Sequence, residues 1–161
     1  MHKRIIEKDI KNNLNTDKIL LLLWARQVWK TTLIKWLKEE IEWNWEVVFF
    51  INLENPEFLQ LLNEHPENLF RIIWKNSEKV FVFIDEIQYL KNPSNFLKYI
   101  YDEYKWIIKL VVTWSSAFYI DRNFKDSLAG RKKIFNINSL SFEEYLIFKW
   151  EEKLIEHLDK Q

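Results

Sequence analysis

Glycine is almost missing from this chain: its 161 residues hold one, where ordinary usage of about 7% would supply roughly 11. Because glycine alone takes positive φ freely, the shortage excludes, in the chain as spelled, a glycine-rich loop whose backbone N–H groups close around a phosphate. Cysteine is absent altogether, which removes disulfides, thiolate metal sites and thiol catalysis, and fits a reducing compartment. The three histidines, His2, His65 and His157, show no metal-ligand spacing, and a surface role suits all three. No apolar run approaches the ~18 residues of a membrane span, and the charged N-terminus Met1-His-Lys-Arg-Ile-Ile-Glu-Lys-Asp9 lacks a signal-peptide core. A cytoplasmic location with no membrane partner is the expectation. Lys+Arg 24 against Asp+Glu 24 leaves no net field, so nucleic acid is not indicated as a partner, although a local patch would escape this count.

What the chain has in excess is tryptophan, with nine residues. Together the glycine and tryptophan counts come close to a normal glycine count. Hydrophobic residues make up 48% and charged residues 30%, which suits a single globular core over residues 1–161, with 1–16 as a lead-in helix and 141–161 as the start of a following helical region.

Four β-rich apolar runs punctuate the chain, at Lys18–Leu23, Val47–Leu53, Val80–Ile84 and Ile107–Thr113, with a weaker fifth at Lys133–Ile137. Their nearly continuous apolar character is that of strands buried on both faces of a parallel sheet. Helical stretches lie between them at Lys30–Ile41, Pro56–Ile73, Ser94–Tyr104 and Ser141–Lys149. Alternation of strand and helix predicts an α/β fold, an open and mainly parallel sheet with helices on both faces. Asn55-Pro56 and Pro93-Ser94 read as helix starts, and Ser141-Phe-Glu-Glu144 as a capping box.

The most informative stretch is Trp24-Ala25-Arg26-Gln27-Val28-Trp29-Lys30-Thr31-Thr32. It matches the phosphate-loop pattern G-x-x-x-x-G-K-[ST] between a strand and a helix, with tryptophan at both glycine positions. In that reading Lys30 reaches the β- and γ-phosphates of ATP, Thr31 places its hydroxyl on Mg²⁺, and the helix N-terminus adds its dipole. The alternative is a coincidental Lys-Thr-Thr helix start. Against coincidence stands Val80-Phe-Val-Phe-Ile-Asp85-Glu86, where Asp85 would hold the metal and Glu86 would act as general base toward water. A strand ending in two acids is by itself more often a solvated strand end; downstream of a phosphate loop it is much more specific. In Thr113-Trp-Ser-Ser116, Ser115 is the candidate γ-phosphate sensor, with Thr113 and Ser116 as alternatives and simple capping of the next segment as the bland reading. Arg131, after Ala129-Gly130, would stabilise transition-state charge on a neighbouring subunit's nucleotide, or is a structural arginine.

Taken in order, Leu23–Thr32, Phe83-Ile-Asp-Glu-Ile-Gln-Tyr-Leu90, Thr113-Trp-Ser-Ser-Ala-Phe118, Leu128-Ala-Gly-Arg131 and Ser139-Leu-Ser-Phe-Glu-Glu144 resemble the AAA-type P-loop ATPases of bacteria and archaea whose ATPase module precedes a C-terminal domain of unknown function, the DUF4143 group. The resemblance implies a three-layer sandwich of the ASCE class around a five-stranded sheet of order 5-1-4-3-2, Walker A and Walker B motifs, and Mg-ATP hydrolysis coupled to an attached domain or an unknown protein partner. It also implies homo-oligomerisation as an arrangement to consider and a longer protein of which this chain is the N-terminal portion. A non-catalytic P-loop-like interaction module, its aromatic loop turned to protein contact, is the rival reading.

Family glycines correspond to Trp24, Trp29 and Trp114. Five further tryptophans, Trp43, Trp45, Trp74, Trp106 and Trp150, follow helices or sit in turns where a left-handed glycine is usual, whereas Trp36 with Leu33 and Leu37 reads as an ordinary helix face. The leading explanation is codon reassignment, in which UGA codons meaning glycine have been read as tryptophan while GGN codons such as that of Gly130 were spared. Engineering and genuine divergence are the alternatives. The codon account predicts TGA at Trp24 and Trp29 in the coding DNA; any other codon at either position ends it.

Overall fold

The computed structural model describes residues 5–24, 30–44, 46–73, 78–115, 120 and 122–137, and only the backbone of residues 5, 6, 31 and 32. Five parallel strands, β1 (Ile19–Trp24), β2 (Val47–Asn52), β3 (Val80–Asp85), β4 (Ile108–Ser115) and β5 (Lys132–Ile137), form one sheet in the order β2-β3-β4-β1-β5. This is the expected order 5-1-4-3-2 viewed from the other side. β1 pairs on one flank with β4, Trp24 opposite Ser115, and on the other with β5, Trp24 opposite Ile137. The central strands are buried nearly throughout, as the apolar runs require.

Side-chain alternation along β1 assigns the two faces. Leu20, Leu22 and Trp24 join a core with Ile10 and Leu14, from α1 (Ile5–Asn13) and the turn after it, and with Leu33, Leu37 and Ile41 of α2 (Lys30–Trp43). Ile19 and Leu21 belong to the opposite core, with Leu62 of α3 (Pro56–Glu64), Leu69 of α4 (Leu69–Ile72), Phe96, Leu97 and Ile100 of α5 (Pro93–Tyr104) and Phe124 of α6 (Arg122–Ser127). The result is a three-layer sandwich.

Local chemistry sets the helix boundaries. Asn55 caps α3 by accepting the Glu57 N–H at 2.9 Å and Asn92 caps α5 by accepting the Asn95 N–H at 3.1 Å, each followed by proline in the first turn. The helix expected over Pro56–Ile73 is broken in two. Pro66 pushes His65 into extended backbone (φ −159°, ψ 139°), and a 3₁₀ turn over Pro66–Asn68 separates α3 from α4. The expected left-handed helix closure at Trp106 is also corrected: among the described residues only Glu86 and Gly130 have positive φ. α5 ends instead through Lys105 in right-handed geometry and an Ile107 N–H bond to the Tyr104 carbonyl at 3.0 Å, leaving Trp106 76% exposed. Trp43, 85% exposed, lies in the last turn of α2, and Trp36 packs partly buried against the α1–α2 core. Trp45, Trp74, Trp150, Ser116 and the helix expected over Ser141–Lys149 lie outside the described residues.

Lys109 of β4 pins α1 to the sheet. Its side chain is 1% exposed, and Nζ donates to the carbonyls of Asn13 (2.9 Å), Thr16 (2.6 Å) and Lys18 (2.5 Å). Burial pushes this ammonium down to about 7, with the Lys79 charge adding to the shift and Asp17 opposing it. The unfolded chain keeps a lysine protonated to about 10.4, so between these values the unfolded state binds more protons and stability rises with pH. Urea denaturation is expected to show increasing stability from about pH 7 to about pH 9, and Lys109→Met to abolish that slope while lowering hydrogen-exchange protection of α1. An unchanged slope in the variant would show that another group is responsible.

Candidate functional site

Open parallel sheets present ligands with the carboxyl ends of their strands, and the chemically active side chains of this chain meet there. Trp24, Asn52, Asp85, Thr113 and Ser115 all stand at or near that edge. Lys30, the first residue of α2, reaches across from the β1 side. Its Nζ lies 2.5 Å from Asp85 Oδ1 and pairs with Glu86 Oε1. The three side chains are 13–15% exposed, so the ion triad is shielded without being sealed. Burial works against the Lys30 charge, but hydrogen bonds and charges from Asp85 and Glu86 outweigh it and hold the group above the ordinary lysine value. It is therefore an ammonium at every physiological pH. One cation against two carboxylates leaves one uncompensated negative charge, a favourable setting for a metal cation.

Thr113 ties the acids to β4. Its hydroxyl, 2% exposed, donates to Asp85 Oδ1 and accepts the backbone N–H of Glu86 at 2.9 Å, using donor and acceptor at once. That second bond holds Glu86 in a left-handed conformation (φ 61°, ψ 50°), which costs a non-glycine residue about 1–2 kcal/mol. Beyond Glu86 a 3₁₀ turn over Ile87–Tyr89 buries Ile87 and returns Gln88 so that its Nε2 donates to Glu86 Oε2. Two buried side-chain atoms at this edge have no hydrogen-bond partner among the described residues, Trp24 Nε1 and Gln88 Oε1. Each such orphan costs about 1–3 kcal/mol.

The structure thus brings Lys30, Asp85 and Glu86 together and adds Thr113. Ser115 stands two residues farther along β4, opposite Trp24. Arg131 is elsewhere: it precedes β5 at the opposite end of the sheet, where Nε and Nη2 bind Asp102 at 2.8 and 3.2 Å. Trp24 is 3% exposed in the α1–α2 core, and Trp114 is 6% exposed on the other face, against Phe124 with ring centroids 4.8 Å apart. Ala25, Arg26, Gln27, Val28 and Trp29 lie outside the described residues, as do the side chains of Thr31 and Thr32, whose backbone forms the first turn of α2. Gln88 was visible in the sequence only as part of the run after Asp85-Glu86. Its spacing of two from Glu86 carries no signal until the 3₁₀ turn is known.

A family model described as an AAA domain, AAA_14, matches residues 16–146. The uncharacterized protein MJ1544 of Methanocaldococcus jannaschii is 25% identical over 151 residues, which are 91% of this chain and 32% of that protein. The chain therefore spans about a third of that relative's length. Among solved structures, Saccharomyces cerevisiae RIF2 is similar with TM-score 0.61 and 15% identity, over 88% of this chain and 57% of that one. A structure of Drosophila ORC bound to DNA gives TM-score 0.58 and 14% identity, over 88% and 93%. Caenorhabditis elegans PCH-2 gives 0.54 and 20%, over 86% and 40%. At these identities the structural likenesses show the fold alone.

Thr113→Val keeps the shape of the side chain and removes both hydrogen bonds, leaving the Glu86 N–H and one lone pair of Asp85 unpartnered. Chemical denaturation should report a loss of about 1–3 kcal/mol. A change below about 0.5 kcal/mol would mean that the Thr113 bridge contributes little, since ordinary surface substitutions fall in that range.

Proposed function

The chain belongs to the AAA-domain family AAA_14, and from that premise we propose that it is an ATPase module which binds Mg-ATP at the Lys30–Asp85–Glu86 edge and couples its hydrolysis to an attached domain or a protein partner. The observation that carries this reading is the triad itself: a lysine at a helix N-terminus held against two strand-end acids. The residues fit the implied metal. Mg²⁺ takes hard oxygen ligands and is usually held by one or two carboxylates with substrate phosphates, so Asp85 with the Thr31 hydroxyl suffices. No group of three or more metal-binding acids and histidines is needed, and none forms among the described residues. When bound, Mg²⁺ would neutralise phosphate charge and polarise the transferred group.

Each protein group then has one task. Lys30 exchanges its carboxylate partners for phosphate oxygens, trading one set of anions for another. That exchange frees Glu86 Oε1, which accepts a proton from the attacking water. Thr113 keeps Asp85 and Glu86 in register, and Ser115 stands ready two residues farther along β4 to contact the γ-phosphate. Arg131 does not serve the nucleotide of its own protomer, because the sheet lies between them. A role on a neighbour's nucleotide requires a homo-oligomer that presents the Asp102–Arg131 edge to that site. No helix among the described residues is long and apolar enough to cross a membrane. The module covers a third of MJ1544, which suits its being one module of a longer protein.

Trp24 and Trp29 are read as glycines of the working loop. The orphaned indole N–H of Trp24 supports this reading, since a glycine there carries no buried donor to satisfy. Trp24 itself takes no positive φ, so its cost is the orphaned donor and not a strained backbone angle. The opposite observation, that Trp24 fills the α1–α2 core, favours the interaction module as second reading. Calorimetry separates them. The chain as spelled should bind Mg-ATP weakly or not at all, and Trp24→Gly/Trp29→Gly should restore binding and turnover, with Glu86→Gln then lowering kcat about 100-fold or more. Tight binding by the chain as spelled contradicts the glycine reading, and restored binding without turnover contradicts the ATPase.

A further inference from the structure

Glu86 is held at three points. Its Oε1 pairs with Lys30, its Oε2 accepts from Gln88 Nε2, and its backbone N–H donates to Thr113 Oγ1. Two of these contacts have a plain account: Lys30 balances charge, and Thr113 stabilises the left-handed backbone. Gln88 has none of this kind. Its carboxamide is half used, with Nε2 on Glu86 and Oε1 buried without a partner among the described residues. An apolar side chain of similar length would fill the same space without the orphaned acceptor but would take the donor from Glu86 Oε2, so the two effects on stability oppose each other. What it provides is a grip on one oxygen of one carboxylate.

We propose that Gln88 is a positioning residue for Glu86. When Lys30 turns to phosphate, Oε1 is released and Oε2 stays with Gln88, so the carboxylate is prevented from rotating and presents Oε1 alone to water. Without Gln88 both oxygens come free together and the carboxylate samples orientations that do not reach the water, because no other contact among the described residues holds Oε2. The 3₁₀ turn over Ile87–Tyr89, closed by the Tyr89 N–H on the Glu86 carbonyl at 3.1 Å and anchored by fully buried Ile87, gives the glutamine a rigid base from which to do this. This inference rests on the ATPase reading for its kinetic consequence and on the geometry alone for its effect on stability.

The test uses the full chain carrying Trp24→Gly and Trp29→Gly, with Gln88→Met as the variant of matched length and Gln88→Leu as a second. Both should lower kcat at least 10-fold and leave KM for Mg-ATP within about 2-fold, as expected of a group that acts only on the reacting geometry. The thermal midpoint of the nucleotide-free protein should change little in both, because the orphaned Gln88 Oε1 is removed while Glu86 Oε2 loses its donor. In a Glu86→Gln background, Gln88→Met should lower kcat no further. An unchanged kcat overturns the inference, as does an equal loss with and without Glu86. A fall of several degrees in the midpoint of both variants also overturns it, by showing that the carboxamide serves the fold. A parent that binds Mg-ATP and never turns it over defeats the ATPase reading instead, and the midpoints still report whether Gln88 is structural.

Discussion

One ammonium between two carboxylates joins the two ends of this site. Lys30 belongs to the first βα unit and Glu86 stands 56 residues later, and neither would be near the other unless β1 and β3 flanked β4 in the same parallel sheet. The strand order does this, and the ion triad closes it. The edge therefore rests on one ammonium shared between two carboxylates. Removing Lys30 would leave the two carboxylates facing each other where solvent screens poorly, whereas removing either acid would leave a balanced pair.

Around that triad the β4 strand acts as a brace. Thr113 bonds both acids, Trp114 turns to the opposite core against Phe124, and Lys109 at the other end of the strand holds the carbonyls after α1. A single strand thus fixes the acidic edge at one end and the lead-in helix at the other. Where the chain departs from local regularity it does so at the site. Among the described residues, the one non-glycine residue with positive φ is Glu86, and the two orphaned buried polar side-chain atoms belong to Gln88, two residues on, and to Trp24 at the end of β1. Concentrated local strain of this kind accompanies groups held for chemistry.

Much of this was legible before any coordinates. The apolar runs placed all five strands within one or two residues; the central three, buried on both faces, carry their signal in composition alone, while the edge strands β2 and β5 are partly exposed. The sheet order came from resemblance, since no local pattern encodes which strands are neighbours. Lys30, Asp85 and Glu86 were singled out because phosphate chemistry restricts residue type and spacing together, and the structure brings the three side chains into contact. The break at His65-Pro66 was missed because apolar periodicity ran on through it, although the proline was in plain view. Gln88 was invisible as a contact: its meaning depends on a 3₁₀ turn and on a left-handed glutamate, and neither has a composition signature. Arg131 read as a site residue from motif order, and the ion pair with Asp102 at the far edge could be known only from the fold. The tryptophans divide similarly. Trp106, Trp43 and Trp24 stand where the sequence suggested glycine, yet none takes a left-handed conformation, and of the three Trp24 buries an indole N–H with no partner among the described residues.

The account stands or falls on whether Lys30 leaves the acids for a phosphate. A crystal structure of the Trp24→Gly/Trp29→Gly chain with Mg-ADP measures it directly. The account predicts Lys30 Nζ within hydrogen-bonding distance of a β-phosphate oxygen, with Glu86 Oε1 released from it and Oε2 still on Gln88. Nucleotide bound elsewhere, with Lys30 still paired to Asp85 and Glu86, would contradict it.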